Sequence, residues 1–374
     1  MRVCFICGSL EPGKDGVGDY TSLLSAALAA EGHSVSIIAL HDKHLHGHHF
    51  IESQLPDEKT IHTLRLSNNM KWRHRIRKAG DFIDDHGPDW LSLQFVPYSF
   101  HDKGLPYILP DKLKNLGRDK KWHIMFHELW VEKHGDRFYG LLSTLQSLII
   151  RRLVRSIRPR VIHTSISEYV TRLRRIGANA AILGLFGNIP YNDGAIGHQI
   201  NETDGRRFNL LHFGAAPKPE NFPDIVDALK RALATAAISL YIIAAPSQRK
   251  EEYLRALSEL EMAFGPKFSV IDLGFIENTA RISVIMQQMD IGISRVSPRY
   301  IGKSGTAIAM LEHGLPVWVF NWRPGEDHID YGFRKQLIIN ELSAAFQQKK
   351  SETPYQSLLP VVATQLANNL NDNS

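Results

Sequence analysis

Short apolar runs alternate with amphipathic segments along most of the chain, and this alternation limits the fold more than any other feature. Apolar runs of about four to eight residues bounded by turn residues indicate buried strands, and longer segments with helical periodicity indicate helices. Such strands and helices, if they alternate, need crossover connections, which predicts a doubly wound α/β domain with a largely parallel sheet. The predicted strands of the first half are 2–7, 34–40, 61–66, 90–96, 123–126 and 161–164, and the helices are about 19–31, 72–86, 138–156 and 168–176.

A polar, turn-rich stretch at 188–206 interrupts this pattern, which then begins again. The later strands are predicted at 208–213, 238–245, 268–273, 290–294 and 316–320. We therefore predict an N-terminal domain over 1–190 and a C-terminal domain over 205–353. The last segment, 354–374, is predicted to contain a helix that packs back on the first domain. A length of 374 residues suits two domains of this kind.

The composition is that of a globular protein, with 43% hydrophobic and 22% charged residues. Both cysteines, Cys4 and Cys7, fall in the first apolar run and are interpreted as buried apolar residues rather than a disulfide or a metal pair. The short apolar start does not fit a signal peptide, and no apolar stretch has the length of a membrane span. These features predict a cytoplasmic protein, and the net charge of +5 favours anionic partners.

Ligands of open α/β sheets bind beyond the carboxyl ends of the strands, so the loops there are the candidate sites. The segment Gly8–Tyr20 joins the first strand to the first helix and contains Gly16 and Gly18 near the helix start, where backbone amides favour anions. Its glycine spacing matches neither the dinucleotide fingerprint nor a P-loop. A phosphate-binding loop and a plain turn with a helix cap remain equal alternatives.

The segment after the predicted strand 290–294 is the most specific signal in the chain. Arg295, Arg299 and Lys303 precede Ser304-Gly305-Thr306, which opens an alanine-rich helix. Cations beside a helix N-terminus suit a phosphate group. The competing interpretation is an ordinary serine cap on a core helix.

A third candidate, His127 and Glu128, follows the strand 123–126. A neutral imidazole there could hydrogen-bond a sugar hydroxyl or a phosphate, and Glu128 could hold a substrate hydroxyl or act as a base. A capped loop with a satisfied histidine is the alternative.

Two further features concern the surface. The histidine-rich run 41–49 matches no standard metal frame and is interpreted as a solvated loop. The basic segments 72–78 and 148–160 suit either an anionic membrane surface or a solvated helix face. Nucleic acid is disfavoured because aromatic residues are not interleaved with the cations.

Taken in order, several segments resemble the GT-B glycosyltransferases, and specifically the family 4-like group of retaining enzymes. The resemblance spans nearly the whole chain and rests on these segments: GVGDYTSLLSAALAAEGHSV, PDWLSLQFVPYSF, FHELW, HTSISEYVTRLRRIG, LLHFG and KSGTAIAMLEHGLPVWV. It implies two Rossmann-like domains facing each other across a cleft. It also implies a UDP- or GDP-sugar donor in the C-terminal domain, an acceptor mainly in the N-terminal domain, and neither a metal nor another cofactor.

The resemblance also assigns residues. Gly16 and Gly18 would approach the donor phosphate or the acceptor, and His127 would contact the donor sugar. The diphosphate would lie against Lys303, Ser304 and Gly305.

The chain departs from the family pattern at two places. The usual pair of glutamates is replaced by Ile301 and Ala309, and the loop after Gly214 lacks the usual arginine, although Lys218 is an approximate match for the usual lysine. We expect a hexosyl transfer with retention to a glycan, lipid-linked or small-molecule acceptor. The alternatives are a non-catalytic nucleotide- or glycan-binding subunit and a sugar-nucleotide epimerase.

Overall fold

A computed structural model describes residues 1–45, 50–55, 61–117, 119–132, 137–193, 207–322, 331–347 and 355–373. The chain divides into two compact units, Met1–Gly184 with Leu359–Ser374, and Leu185–Leu358. The end of the chain therefore belongs to the same unit as its beginning. Residues 46–49 of the histidine-rich run and 194–206 of the predicted linker lie outside the described residues.

Unit 1 is built on a sheet of eight strands within the described residues, in the order β3-β4-β2-β1-β5-β6-β7-β8. All neighbouring pairs are parallel except β3 and β4. Its strands are β1 Arg2–Cys7, β2 Ser34–Asp42, β3 Phe50–Leu55, β4 Ile61–Ser67, β5 Trp90–Phe95, β6 Lys121–Phe126, β7 Val161–Thr164 and β8 Ala181–Ile182. Its first helices are α1 Gly16–Ala30, α2 Trp72–His86, α3 Pro97–Phe100, α4 Leu109–Lys114, α5 Arg137–Ile157 and α6 Ser167–Arg175.

Unit 2 repeats the plan with a sheet of six parallel strands within the described residues, ordered β11-β10-β9-β12-β13-β14. Its strands are β9 Arg207–Phe213, β10 Ala237–Ile243, β11 Phe268–Gly274, β12 Ile291–Ser294, β13 Val317–Val319 and β14 Ile338–Ile339. Its helices are α7 Phe222–Leu233, α8 Gln248–Phe264, α9 Thr279–Gln288, α10 Gly305–Glu312 and α11 Leu342–Ala345. Apolar clusters cover both faces of this sheet, which is why its central strands are continuous apolar runs.

The last helix, α12 Leu359–Asp372, returns to unit 1. Its inner face, which includes Val362, Leu366 and Leu370, is buried. Thr364 donates to the Glu31 carboxylate at the end of α1 (3.1 Å), and Gln365 donates to the Ile182 carbonyl (3.1 Å). In the part of the chain that the structure describes, no helix is both long and apolar enough to cross a bilayer.

Candidate functional site

The carboxyl edge of the unit 2 sheet brings the end of β9 against the start of α10. Gly214 follows β9 with a φ of +109°, a conformation that favours glycine. A β-carbon at this position would lie 3.2 Å from Thr306 Cγ2, so the loop passes close to the helix start. His212 in β9 fixes the same loop, because its Nε2–H donates to the Ala215 carbonyl at 3.1 Å. Two segments predicted separately, 214–218 and 303–306, thus meet at one edge.

The N-terminus of α10 has a serine cap and further amides. Ser304 Oγ accepts from the Ala307 amide (3.3 Å) and lies 3.3 Å from Thr306 Oγ1. The cap interpretation is therefore correct, but it uses only one amide. The amides of Gly305 and Thr306 precede the first intrahelical donor and have no acceptor among the described residues. A capped helix start can still receive an anion at these two groups.

The predicted cations differ in how they are placed. Lys303 ends the turn before α10, is half-buried, and places Nζ 5.1 Å from the centre of the Tyr300 ring. Arg299 is exposed in the same turn. Lys218 is 61% exposed and forms an ion pair with Glu220 at 3.3 Å, which solvent weakens. Lys303 is accordingly the cation with the most restricted position next to the helix start.

In unit 1, the helix that follows the glycine-rich loop begins with a carboxylate cap. Asp15 caps α1, and its Oδ1 accepts from the amides of Val17 (3.0 Å) and Gly18 (3.2 Å). Of the two glycine amides predicted to face a phosphate, that of Gly18 is thus already bonded to a carboxylate. Gly18 is required for packing, since a β-carbon there would lie 2.5 Å from the Ser9 carbonyl oxygen, whereas Gly16 has nothing within 4 Å.

His127 lies directly after β6 and is only 7% exposed. Its Nε2 is 2.9 Å from Gln94 Oε1, and its ring packs edge-on against Tyr20 with centroids 4.8 Å apart. Burial lowers the pKa of His127 to about 3, so the ring is neutral at physiological pH. Glu128 next to it is exposed. The imidazole of His127 is therefore neutral, and its Nε2 is already bonded to Gln94.

Two residues near the candidate sites, Gln94 beside His127 and Glu312 at the end of α10, were not predicted from the sequence. Glu312 ends α10 with a fully buried carboxyl group. Its Oε1 accepts from the Leu358 amide (2.8 Å), and Arg334 donates to the carbonyl groups at the end of the same helix. Glu312 thus links the end of α10 to the last segment of unit 2.

The two predicted basic segments have different environments. In the first, Arg75 is 2% exposed, donates to the carbonyls of Met70 and Leu40, and lies 3.9 Å from the Trp72 ring centroid. The central cation of that segment is therefore buried and bonded within unit 1. In the second, Lys114 and Lys120 line a surface groove with Arg151, Arg155 and Arg158. Among the described residues, no group of three or more His, Cys, Asp or Glu side chains is placed to hold a metal ion.

Comparison with known proteins identifies the fold. No family model matches the chain, and no curated protein is similar to it in sequence. Solved structures match it along its full length: sucrose-phosphate synthase from Thermosynechococcus elongatus has a TM-score of 0.60 at 13% identity, with both chains covered completely. HepE from Anabaena, in complex with UDP and glucose, has a TM-score of 0.58 at 14% identity, again with complete coverage. TarM has a TM-score of 0.55 at 11% identity, covering 100% of this chain and 95% of TarM.

These similarities establish the fold and confirm the predicted class. Each unit is a Rossmann-like α/β domain, as in the GT-B glycosyltransferases. At 11–14% identity they do not extend to the family 4-like group or to retention, which stay predictions.

Proposed function

We propose that the protein is a glycosyltransferase that moves a hexosyl group from a nucleotide-sugar donor to a glycan, lipid-linked or small-molecule acceptor, with retention and without a metal ion. The observation that carries this proposal is the edge of unit 2, where Gly214, Lys303 and the start of α10 come together. Two amides, a hydroxyl and the side chain of the half-buried Lys303 there suit a diphosphate. The complexes of HepE with UDP and with UDP-glucose support a donor of this class.

In the proposed reaction, the bond from the anomeric carbon to the diphosphate oxygen breaks, and a bond to the acceptor oxygen forms on the same face. The acceptor hydroxyl gives its proton to the departing phosphate, so no protein nucleophile is needed. Lys303, Arg299 and the amides of α10 stabilise the charge that develops on the leaving group. Glu128 and His127 bind hydroxyl groups.

The test is Lys303→Ala with two readouts, nucleotide binding by calorimetry and donor turnover. We expect both to fall, because losing a charged contact to a phosphate costs about 1.5–3 kcal/mol, or roughly 10- to 100-fold. Lys230→Ala is the matched control, since Lys230 is an exposed lysine of α7 paired with Asp227 at 3.9 Å. Unchanged binding and turnover in Lys303→Ala would refute the phosphate assignment, and binding without turnover in the wild type would favour the non-catalytic subunit.

We also propose that unit 1 contacts an anionic membrane surface through α5. Leu141, Leu145 and Leu148 recur at helical spacing and are 61%, 40% and 52% exposed. Arg151 and Arg155 continue the helix into the basic groove. An apolar stripe next to clustered cations suits the interface of an anionic bilayer.

Co-sedimentation with phosphatidylglycerol vesicles at low salt tests this contact. Arg151→Glu with Arg155→Glu should abolish pelleting, whereas the same change at the exposed Arg174 and Arg175 of α6 should preserve most of it. Equal binding to neutral and anionic vesicles would contradict the electrostatic part of the proposal.

A further inference from the structure

A line of buried polar side chains runs through unit 1 from His127 to the last helix. Gln94 contacts His127 through Oε1 (2.9 Å) and Ser92 Oγ through Nε2 (2.9 Å). Ser92 Oγ lies 2.7 Å from His123 Nδ1, and His123 Nε2 lies 3.0 Å from His163 Nδ1. The line ends where His163 Nε2 lies 2.9 Å from Asn369 Nδ2.

These side chains lie on one face of three adjacent strands, because the register of the sheet aligns them. Ser92 of β5 is the direct partner of His123 in β6. Gln94 lies two residues after Ser92 in β5, and His163 of β7 lies two residues after Val161, the partner of His123, so all four side chains point to the same face. Ser92, Gln94, His123 and His163 are at most 1% exposed, so bulk solvent does not compete for these bonds. Asn369 on α12 is half-buried and forms the outer end.

Each inner member can donate one hydrogen bond and accept one along this line. Burial lowers the pKa of His163 to about 4 and that of His123 well below its usual range, so both rings are neutral and carry one N–H each. Every side chain in this line then has both a donor and an acceptor only if all the hydrogen bonds run in the same direction. With Gln94 Nε2 donating to Ser92, the Ser92 hydroxyl has to donate to His123 Nδ1.

The direction of the remaining hydrogen bonds, from His123 to Asn369, is then fixed. His123 donates through Nε2 to His163 Nδ1, and His163 donates through Nε2 to the outer amide. Asn369 must therefore present its oxygen to His163. That orientation is available to it, since neither atom of its amide group has another partner among the described residues and rotation of the amide exchanges them.

We propose that Asn369, His163, His123, Ser92 and Gln94 are positioning residues that hold His127 as the Nε2–H tautomer, which leaves Nδ1 as a hydrogen-bond acceptor. A hydroxyl-bearing ligand is the chemistry that such an acceptor recognises. The role in ligand binding rests on the proposed function, whereas the tautomer is a property of the ligand-free protein. The last helix thus fixes the hydrogen-bonding character of a side chain at the edge of the sheet.

Long-range ¹H–¹⁵N spectra of ligand-free protein with ¹⁵N-labelled histidine test the tautomer directly. We expect His127, His123 and His163 each to show a protonated Nε2 and an unprotonated Nδ1, with signals assigned by His→Gln variants. A protonated Nδ1 at His127 would overturn the proposal. Failure of the glycosyltransferase assignment would leave these spectra unchanged, so the two hypotheses fail separately.

Two variants test whether the chain acts as a unit. Asn369→Leu removes the outer acceptor, and Ser92→Ala breaks the middle. Both variants should move the ¹⁵N chemical shifts of the two His127 ring nitrogens towards a common averaged value. The reason is that the remaining hydrogen bonds then stabilise the two tautomers equally. Asn368→Leu, the exposed neighbour on α12, should leave them unchanged. Sharp, wild-type His127 signals in both folded variants would show that the tautomer does not depend on the line of hydrogen-bonded side chains.

Discussion

Glu312 makes the stability of unit 2 depend on pH in a direction opposite to that of most carboxylates. Its side chain is fully buried at the end of α10. Burial raises the pKa of Glu312 from 4.5 to about 7, although the amides of Leu358 and Gly187 and the charge of Arg334 lower it in part. Between pH 4.5 and about 7, the folded protein therefore keeps a proton on Glu312 that the unfolded chain has already released.

The sign and size of the effect follow from this difference. Below pH 4.5 the group is protonated in both states and contributes no pH dependence. Between pH 4.5 and 7 the folded state binds the extra proton, so stability falls as the pH rises and levels off above pH 7. At 1.36 kcal/mol per pH unit, the total loss is about 3 kcal/mol.

Glu312→Gln removes the titration while keeping the shape and an oxygen for the Leu358 amide. We expect the free energy of unfolding of the variant, relative to wild type, to increase by about 3 kcal/mol between pH 4.5 and pH 8, measured by urea denaturation. Any constant cost of the new amide cancels in this difference. Glu259→Gln on the exposed face of α8 is the control and should show no such change. Parallel pH profiles for wild type and Glu312→Gln would refute the reasoning.

Glycine substitutions supply two further predictions, both measured by chemical denaturation. Gly187→Ala should destabilise the protein by about 1–3 kcal/mol, because its β-carbon would lie 2.4 Å from the Glu312 carboxylate, whereas Gly184→Ala meets nothing within 4 Å and should change stability by less than about 0.5 kcal/mol. Gly18→Ala should cost a similar 1–3 kcal/mol, roughly, through overlap with backbone, and Gly16→Ala at the open start of α1 should be tolerated. Equal effects within either pair would contradict the packing argument.

Apolar runs predicted the longer parallel strands, because a strand covered on both faces has few places for polar residues. The two-residue parallel strands β8 and β14 were not predicted, since two residues give no pattern. The strand β3, Phe50–Leu55, which pairs antiparallel with β4 at the edge of the sheet, was not predicted from the sequence. Helix α4, Leu109–Lys114, was not predicted either, because its six residues are too short for a periodic signal. The order of the strands depends on tertiary packing and is not written in any local pattern.

The candidate site was only partly predictable for a related reason. The start of α10 carries a local signal, since a serine cap and adjacent cations are neighbours in sequence. The surroundings of His127 depend on strand register: Ser92 and Gln94 are visible as polar residues in an apolar run, but only the pairing of β5 with β6 places them next to histidines. At the start of α1 the helix-cap alternative is present, because the Asp15 carboxylate, three residues before Gly18, accepts from the Gly18 amide.

The return of α12 to unit 1 has a consequence for how the protein is made. During synthesis, the sheet of unit 1 emerges first but lacks the helix that covers α1, while the whole of unit 2, Leu185–Leu358, emerges before that helix does. Most of unit 2 can therefore begin to fold before α12 Leu359–Asp372 has emerged to complete unit 1. The half of the protein that is translated first is thus the half that is finished last, and the surface of unit 1 that α12 covers stays accessible to chaperones until this helix has emerged.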